Sequence, residues 1–258
     1  MIIVGPIDSL QEEISLMRNM GDSIGFVPTM GALHDGHMTL IEKAKEHASC
    51  TVVSIFVNPT QFAPHEDFDS YPREASEDAK KLAEAGVDIL FLPNEDVLYP
   101  DGYATDIKAG SPSLGLETDF RPHFFDGVVN VVSRLFDAVK PDVAIFGEKD
   151  FQQLQVIRDM VETHNMGINV IGAPIARDEH GLALSSRNAY LSDDELQVAR
   201  QLNQVLHNLT TTQDFENAHK ALTEIGFDKI DYIEKRWDRI LAAVWLGKTR
   251  LIDNISTL

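Results

Sequence analysis

Among its 258 residues the chain has a single cysteine, Cys50. No internal disulfide can form, and a reducing, cytoplasmic compartment is expected. Positive charge is scarce as well: 22 Lys and Arg stand against 41 Asp and Glu, a formal net charge of −19 with the nine His counted as neutral. Phosphate backbones are bound by clustered Lys and Arg, so this balance argues against a nucleic-acid partner. No apolar run approaches the roughly 18 residues needed to span a membrane. The opening Met1-Ile2-Ile3-Val4-Gly5-Pro6 has no basic stretch and no long apolar core, so no secretory signal is expected. Internal repeats and low-complexity segments are also missing. What is present is ordinary globular usage, 43% hydrophobic and 24% charged. The length suits one large domain or two modest ones, with enough core to need no disulfide or metal staple.

The acidic balance poses a question for any anionic ligand. A small ligand feels mostly charges within a Debye length of about 8 Å. A few local cations can therefore override the global sign, and their positions matter more than the total.

The first two thirds alternate short β-rich runs with amphipathic helical stretches. Ile24–Val27, Thr51–Val57, Asp88–Leu92, Val143–Phe146 and Ile168–Ile171 read as strands, several almost without a polar face. Strands covered on both sides by helices read that way. Helices are predicted from Gly36 to about Ala48, Glu74 to Ala85, Val128 to Val139 and Phe151 to about His164, with a polar loop after Pro59. This pattern predicts an α/β fold, a doubly wound, Rossmann-like parallel sheet with right-handed crossovers. After about Ala176 the texture changes. Two surface helices (Asp193–Asn208 and Asp214–Ile225), short strands near Ile230–Ile233 and Arg250–Ile252 and a small helix around Ile240–Trp245 predict a smaller C-terminal α+β domain. The expected division is 1–175 and 176–258.

In open α/β sheets ligands bind beyond the carboxyl ends of the strands. Four segments sit at or just past such ends. Pro28-Thr29-Met30-Gly31-Ala32-Leu33-His34-Asp35-Gly36-His37 brings two imidazoles to a helix N-terminus, whose free N–H groups and dipole suit phosphate. As donors, His34 and His37 could stabilise developing negative charge. Ordinary loop histidines are the plain alternative. Zinc is another, although only two ligands are local and no Cys cluster completes the set. Asn58-Pro59-Thr60-Gln61-Phe62 offers neutral donors and acceptors for a hydroxyl and a carboxylate, or is an Asn-Pro turn with a solvent-facing Gln. Gly147-Glu148-Lys149-Asp150-Phe151-Gln152-Gln153 puts a cation at a helix start, where the dipole disfavours it unless an anion is bound. Leu184-Ser185-Ser186-Arg187-Asn188 is either a compact anion clamp or an ST-turn.

Taken in order, these segments are recognisable. Pro28–His37 looks like the H-x-G-H element of the adenylate-forming nucleotidyltransferases, and Leu184–Arg187 resembles their second phosphate-binding motif. The full set, VPTMGALHDGH, SIFVNPTQF, FGEKDFQQL, LSSRN and TRLIDN, closely resembles the pantoate–β-alanine ligase family, from about residue 24 to 254. The resemblance implies ATP-dependent condensation of (R)-pantoate with β-alanine through a pantoyl adenylate, releasing AMP and pyrophosphate. It implies catalytic roles for His37 (the proton donor), His34, Lys149, Ser186 and Arg187. ATP would be held by Met30, Gly31, Ala32, Leu33, His34, Asp35, Gly36, His37, Gly147, Glu148, Lys149, Asp150, Ala176, Leu184, Ser185, Ser186 and Arg187. Pantoate would be held by Gln61 and Gln153, with Gln61 also near β-alanine. Mg²⁺ is implied, ligated mostly by phosphate oxygens and water, with no protein ligand to name. A homodimer is implied too. The alternatives are a related nucleotidyltransferase acting on another small acid, and a non-catalytic nucleotide-binding protein.

Three departures from the family pattern stand out. Leu184 replaces the usual Met, a volume-conserving change. Arg121-Pro122-His123-Phe124-Phe125 replaces Arg-Pro-Gly-His-Phe, so an apolar ring is expected where an imidazole usually stands near the substrate pocket. Asp231–Trp237 passes quickly to the last predicted helix, which implies a shortened strand or hairpin.

Overall fold

The computed structural model describes residues 1–62, 68, 69 and 71–258. Part of the loop expected after Pro59, residues 63–67 and 70, lies outside the described residues. The chain divides into two compact units. The first comprises Met1–Leu33, His37–Glu148 and Gln152–Ala173; the second comprises His34–Gly36, Lys149–Phe151 and Pro174–Leu258.

The first unit is built on six parallel strands: β1 (Ile2–Val4), β2 (Ile24–Thr29), β3 (Cys50–Ile55), β4 (Ile89–Phe91), β5 (Val143–Gly147) and β6 (Asn169–Ala173), in the order β1-β4-β3-β2-β5-β6. From β2 the chain steps outward through β3 and β4, then returns to β5 and β6 on the other side. The strand order reverses between β2 and β5, and at such a reversal ligands bind beyond the strands' carboxyl ends. Strand residues alternate between two covered faces. Val27, Val53, Leu90, Val143 and Ile145 join Ile41 and Ala44 of α2 (Asp35–His47) and Leu82 of α3 (Ala75–Glu84) in one core cluster. On β2 the preceding residue, Phe26, meets Phe136 edge-on with ring centroids 6.3 Å apart.

The remaining helices are α1 (Ile7–Asn19), α4 (Glu95–Leu98), α5 (Glu117–Phe120), α6 (Phe124–Val139) and α7 (Phe151–Thr163). Because α6 is apolar almost all round, it is buried along most of its length. It also approaches the chain after β3 so closely that a Cβ added at Gly127 would collide with the Thr60 carbonyl. The sequence pattern places no element before Ile24. The structure adds the short edge strand β1 and the amphipathic α1, which buries only Leu10 and Ile14.

In the second unit, α8 (Asp193–Ala199), α9 (Gln201–Thr212) and α10 (Phe215–Ile225) pack on an antiparallel sheet of β7 (Lys229–Arg236), β8 (Arg239–Leu246) and β9 (Thr249–Ser256). Ser192 and Glu195 form a capping box at the start of α8. The single helix expected over Asp193–Asn208 is divided at Arg200.

The small helix expected around Ile240–Trp245 is corrected: this run is β8, the central strand. A short continuous apolar run does not distinguish a buried strand from a buried helix by periodicity. Trp237 and Asp238, both left-handed (φ 52 and 55), make a two-residue hairpin turn that pairs Arg236 with Arg239. That hairpin accounts for the brevity of Asp231–Trp237.

Candidate active site

The chain after β2 is set by a buried carboxylate. Gly31 (φ 86) and Ala32 (φ 52) turn through the left-handed region, which exposes the Ala32 and Leu33 N–H groups on one side. Asp78, 1% exposed on α3, accepts both, Ala32 through Oδ2 at 2.9 Å and Leu33 through Oδ1 at 2.8 Å. Lys81, one helical turn on, donates to the Leu33 carbonyl at 2.7 Å. Thr29 Oγ1 donates to the Ser54 carbonyl and accepts from Gly31 N–H. A cleft of about 380 Å³ opens beside Met30 and Gly31, bordered by Ile55, Phe56, Asp78 and Leu92 among others. Neither Asp78 nor Lys81 belongs to a motif read from the sequence. Their only signal there is an Asp and a Lys three residues apart on an amphipathic helix, which ordinarily marks a solvated face.

His34 and His37 are both half-buried. His34 Nδ1 accepts the Gly36 N–H at 3.1 Å, so in the neutral ring the proton sits on Nε2. Asp35 and Gly36 open α2, and His37 follows in its first turn. Gly36 lies against Leu184: a Cβ placed on it would meet the Leu184 Cβ at 3.6 Å. The structure thus brings the first and fourth motifs together at these two residues.

Beyond β5, Gly147 ends the strand and Glu148–Asp150 form a 3-10 turn leading into α7. Lys149 Nζ is 3.3 Å from Asp150 Oδ2. The Lys149 carbonyl accepts from Asn254 Nδ2 at 3.0 Å, and Arg239 Nε donates to Asn254 Oδ1 at 2.6 Å. Next to it, Asp253 makes a bidentate pair with Arg177, at 2.7 and 2.9 Å. The TRLIDN segment therefore organises the neighbourhood of Lys149, a role its residue types alone did not reveal. Ala176 accepts the Leu184 N–H through its carbonyl at 2.9 Å. Ser185 Oγ accepts the Arg187 N–H and caps the 3-10 turn Ser186–Tyr190. The ST-turn is thus real, and Ser186 and Arg187 lie within the 3-10 turn that it opens.

On α7 the two glutamines differ. Gln153 is half-buried, whereas Gln152 is 3% exposed. Gln152 accepts the Glu117 N–H and donates to the carbonyls of Pro112, Ser113 and Gly115, which pins the 112–117 loop.

After β3, Asn58 is wholly buried and caps the 3-10 turn Pro59–Gln61. Its side chain is consumed inside the protein, so its expected place among the ligand-facing donors is corrected: Gln61 is the half-buried member of the pair. Tyr99, which donates to Asn58 Oδ1, has its pKa pushed up to about 12, chiefly by burial, and stays a neutral phenol. Phe124 also has a definite job. The Arg121 guanidinium lies 3.8 Å from the Phe124 ring centroid, 3.7 Å from Glu117 and in a 3.1 Å bond to the Gln61 carbonyl. His123, displaced by one position, is exposed at the start of α6.

These segments supply hydrogen-bond donors, cations and a carboxylate-held turn. They offer no thiolate nucleophile: Cys50 is buried in β3, and its thiol is pushed up to about 12, chiefly by burial. Positioning and charge neutralisation are what such a set can do, and phosphoryl transfer asks for these.

A pantoate–β-alanine ligase family model matches residues 2–256. The pantothenate synthetase of Mesorhizobium japonicum is 50% identical over 98% of this chain and 96% of its own length. That of Maricaulis maris is 46% identical over 97% and 94%. Among solved structures, a pantoate–β-alanine ligase from Francisella tularensis, complexed with a β,γ ATP compound and β-alanine, superposes with a TM-score of 0.90 at 38% identity, covering 100% of this chain and 98% of that one. The pantothenate synthetase of Thermus thermophilus gives 0.89 at 38% identity, over 100% and 99%. The chain belongs to the pantoate–β-alanine ligase family.

Proposed function

We propose that the chain joins (R)-pantoate to β-alanine with ATP, forming pantothenate, AMP and pyrophosphate. The observation that carries this reading is the match across residues 2–256 to one ligase family, with its motifs following the carboxyl ends of β2, β3 and β5. A carboxylate becomes a competent acyl donor once its oxygen is part of a good leaving group. Attack of the pantoate carboxylate on the α-phosphate of ATP, with departure of pyrophosphate, gives pantoyl adenylate. The amine of β-alanine then attacks the acyl carbon and AMP leaves. Neither step requires a covalent enzyme nucleophile.

In this reading Met30–His37, Gly147–Asp150, Ala176 and Leu184–Arg187 hold ATP. His34, His37, Lys149, Ser186 and Arg187 neutralise charge on the phosphates, His37 acting as proton donor. Gln61 and Gln153 hold pantoate, with β-alanine near Gln61. Residues 1–175 form the nucleotide- and pantoate-binding domain, and 176–258 carry the second phosphate motif. Among the described residues no group of three or more His, Cys, Asp or Glu could hold a metal ion. A magnesium ion carried on the triphosphate, ligated by phosphate oxygens and water, needs no such group. The reading also includes a homodimer in the cytoplasm. Among the described residues no helix is long and apolar enough to cross a membrane.

The test is pyrophosphate release from ATP with (R)-pantoate, with and without β-alanine. The expected result is release that turns over only with β-alanine, alongside AMP and pantothenate. ATP binding without release on any small acid would favour the non-catalytic alternative.

A further inference from the structure

We propose that Gln61 acts as a donor of fixed polarity toward the acid substrate, and that Asn58 and Tyr99 are positioning residues that set this polarity. The inference rests on the reading that Gln61 holds pantoate, and it specifies how.

The argument starts at Asn58, whose two side-chain ends meet backbone groups of known polarity. Its Oδ1 accepts the Thr60 N–H at 3.4 Å, and a backbone N–H can only donate. Its Nδ2 donates to the Gly127 carbonyl at 3.2 Å, and a carbonyl can only accept. These two partners assign the orientation of the amide. The Tyr99 hydroxyl donates to Oδ1 at 2.8 Å and Thr60 Oγ1 does so at 3.1 Å, both on the same side. The nitrogen end of Asn58 therefore faces Gln61.

A second amide can meet that nitrogen only through oxygen, and Gln61 Oε1 lies 3.1 Å from Asn58 Nδ2. The opposite rotamer would set two NH₂ groups against each other beside a wholly buried side chain, which costs a hydrogen bond and leaves a donor unsatisfied. With Oε1 turned inward, Gln61 Nε2 is the end left for a ligand. The main chain at this position is held as well, by Arg121 donating to the Gln61 carbonyl at 3.1 Å. Gln61 thus presents N–H to an acceptor oxygen, such as an ionised carboxylate or a hydroxyl lone pair. A ligand group that can only donate finds no partner at this Nε2.

The test compares Gln61→Ala with Gln61→Glu in the pyrophosphate-release assay, reading KM for pantoate and for ATP. Gln61→Ala should raise the pantoate KM about 10-fold, the scale of one lost hydrogen bond to a charged group. In Gln61→Glu, one carboxylate oxygen keeps the Asn58 bond and the other faces the acid substrate. The pantoate KM should then rise further than in Gln61→Ala, and should recover as the pH is lowered and the introduced carboxylate becomes protonated. ATP KM should stay within about twofold in both. A Gln61→Glu enzyme that binds pantoate like the parent would show that the amide accepts rather than donates, overturning the polarity while leaving Gln61 in the site. An unchanged pantoate KM in Gln61→Ala would instead remove Gln61 from the acid site altogether. For the relay, Asn58→Asp should raise the pantoate KM alone and add nothing in a Gln61→Ala background. An additive effect there would overturn the role of Asn58, and the Gln61 pair decides the polarity even if Asn58→Asp does not fold.

Discussion

Asp78 Oδ1 accepts the backbone N–H of Leu33 at 2.8 Å, across 45 residues of sequence. The same carboxylate takes the Ala32 N–H, and so holds a turn in which Ala32, a residue with a Cβ, is left-handed at φ 52. Such a conformation costs on the order of 1–3 kcal/mol and persists only where its surroundings impose it. In Asp78→Asn one of the two N–H groups would face an NH₂ group. We expect a loss of about 1–3 kcal/mol in stability, read by urea unfolding, together with an ATP KM raised about 10-fold and a pantoate KM changed less. Lost stability with an unchanged ATP KM would confine Asp78 to folding.

His37 is half-buried in the first turn of α2. If it donates to the phosphates as charge develops, His37→Ala should lower pyrophosphate release by about 10²–10³-fold, the scale of one lost oxyanion donor. ATP binding measured by calorimetry without pantoate should change much less. An unchanged release rate would take His37 out of the chemistry.

Asp231 sits at a register shift in β7, where the side chain is turned into the protein and is 1% exposed. Burial by itself raises its pKa, but hydrogen bonds from Lys229, Arg250 and Trp245 outweigh it, and the net value lies below that of an ordinary carboxylate. A carboxyl whose folded pKa is depressed contributes stability that is present above its unfolded pKa, about 3.9. That contribution is lost as the pH falls through the folded value. Asp231→Asn, which removes the buried negative charge facing Arg250, should cost about 3 kcal/mol at pH 7. Melting curves of parent and variant should converge as the pH is lowered past the carboxylate range. A constant gap would mean that packing, not charge, makes the difference.

Cys50 is 1% exposed, and its thiol is pushed up to about 12. Thiolate is the reactive form. Iodoacetamide should therefore leave the folded protein unmodified at pH 8 and alkylate it once urea unfolds it, as followed by intact mass. Rapid labelling of the folded protein would show that β3 opens locally.

Much of the first unit was legible because its strands are continuous apolar runs that end at Pro, Gly or Asn, and its helices have clean apolar stripes. β1 escaped because three residues carry no period. β8 read as a helix because Ile240–Leu246 has no polar face to reveal alternation, and what makes it a strand is its pairing with β7 and β9 through the tight turns on either side. Of the site, the motif residues were visible and their supports were not. Asp78, Tyr99, Gln152 and Asn254 act on residues 35 to 105 positions away. No local pattern records such a pairing.

By itself, then, the amino-acid order determined the alternation of strands and helices, the family and the chemical types gathered at the strand ends, since these depend on local periodicity and on short ordered motifs. The tertiary structure alone decided which groups remain available to a ligand. Asn58 and Gln61 look equivalent in sequence as neutral amides after a strand. Folding buries the first against Tyr99, Thr60 and Gly127 and leaves the second half-exposed, because α6 packs tightly on the turn between them. Hydrogen-bond polarity at a site is set by such long-range partners, and only the folded chain brings them together.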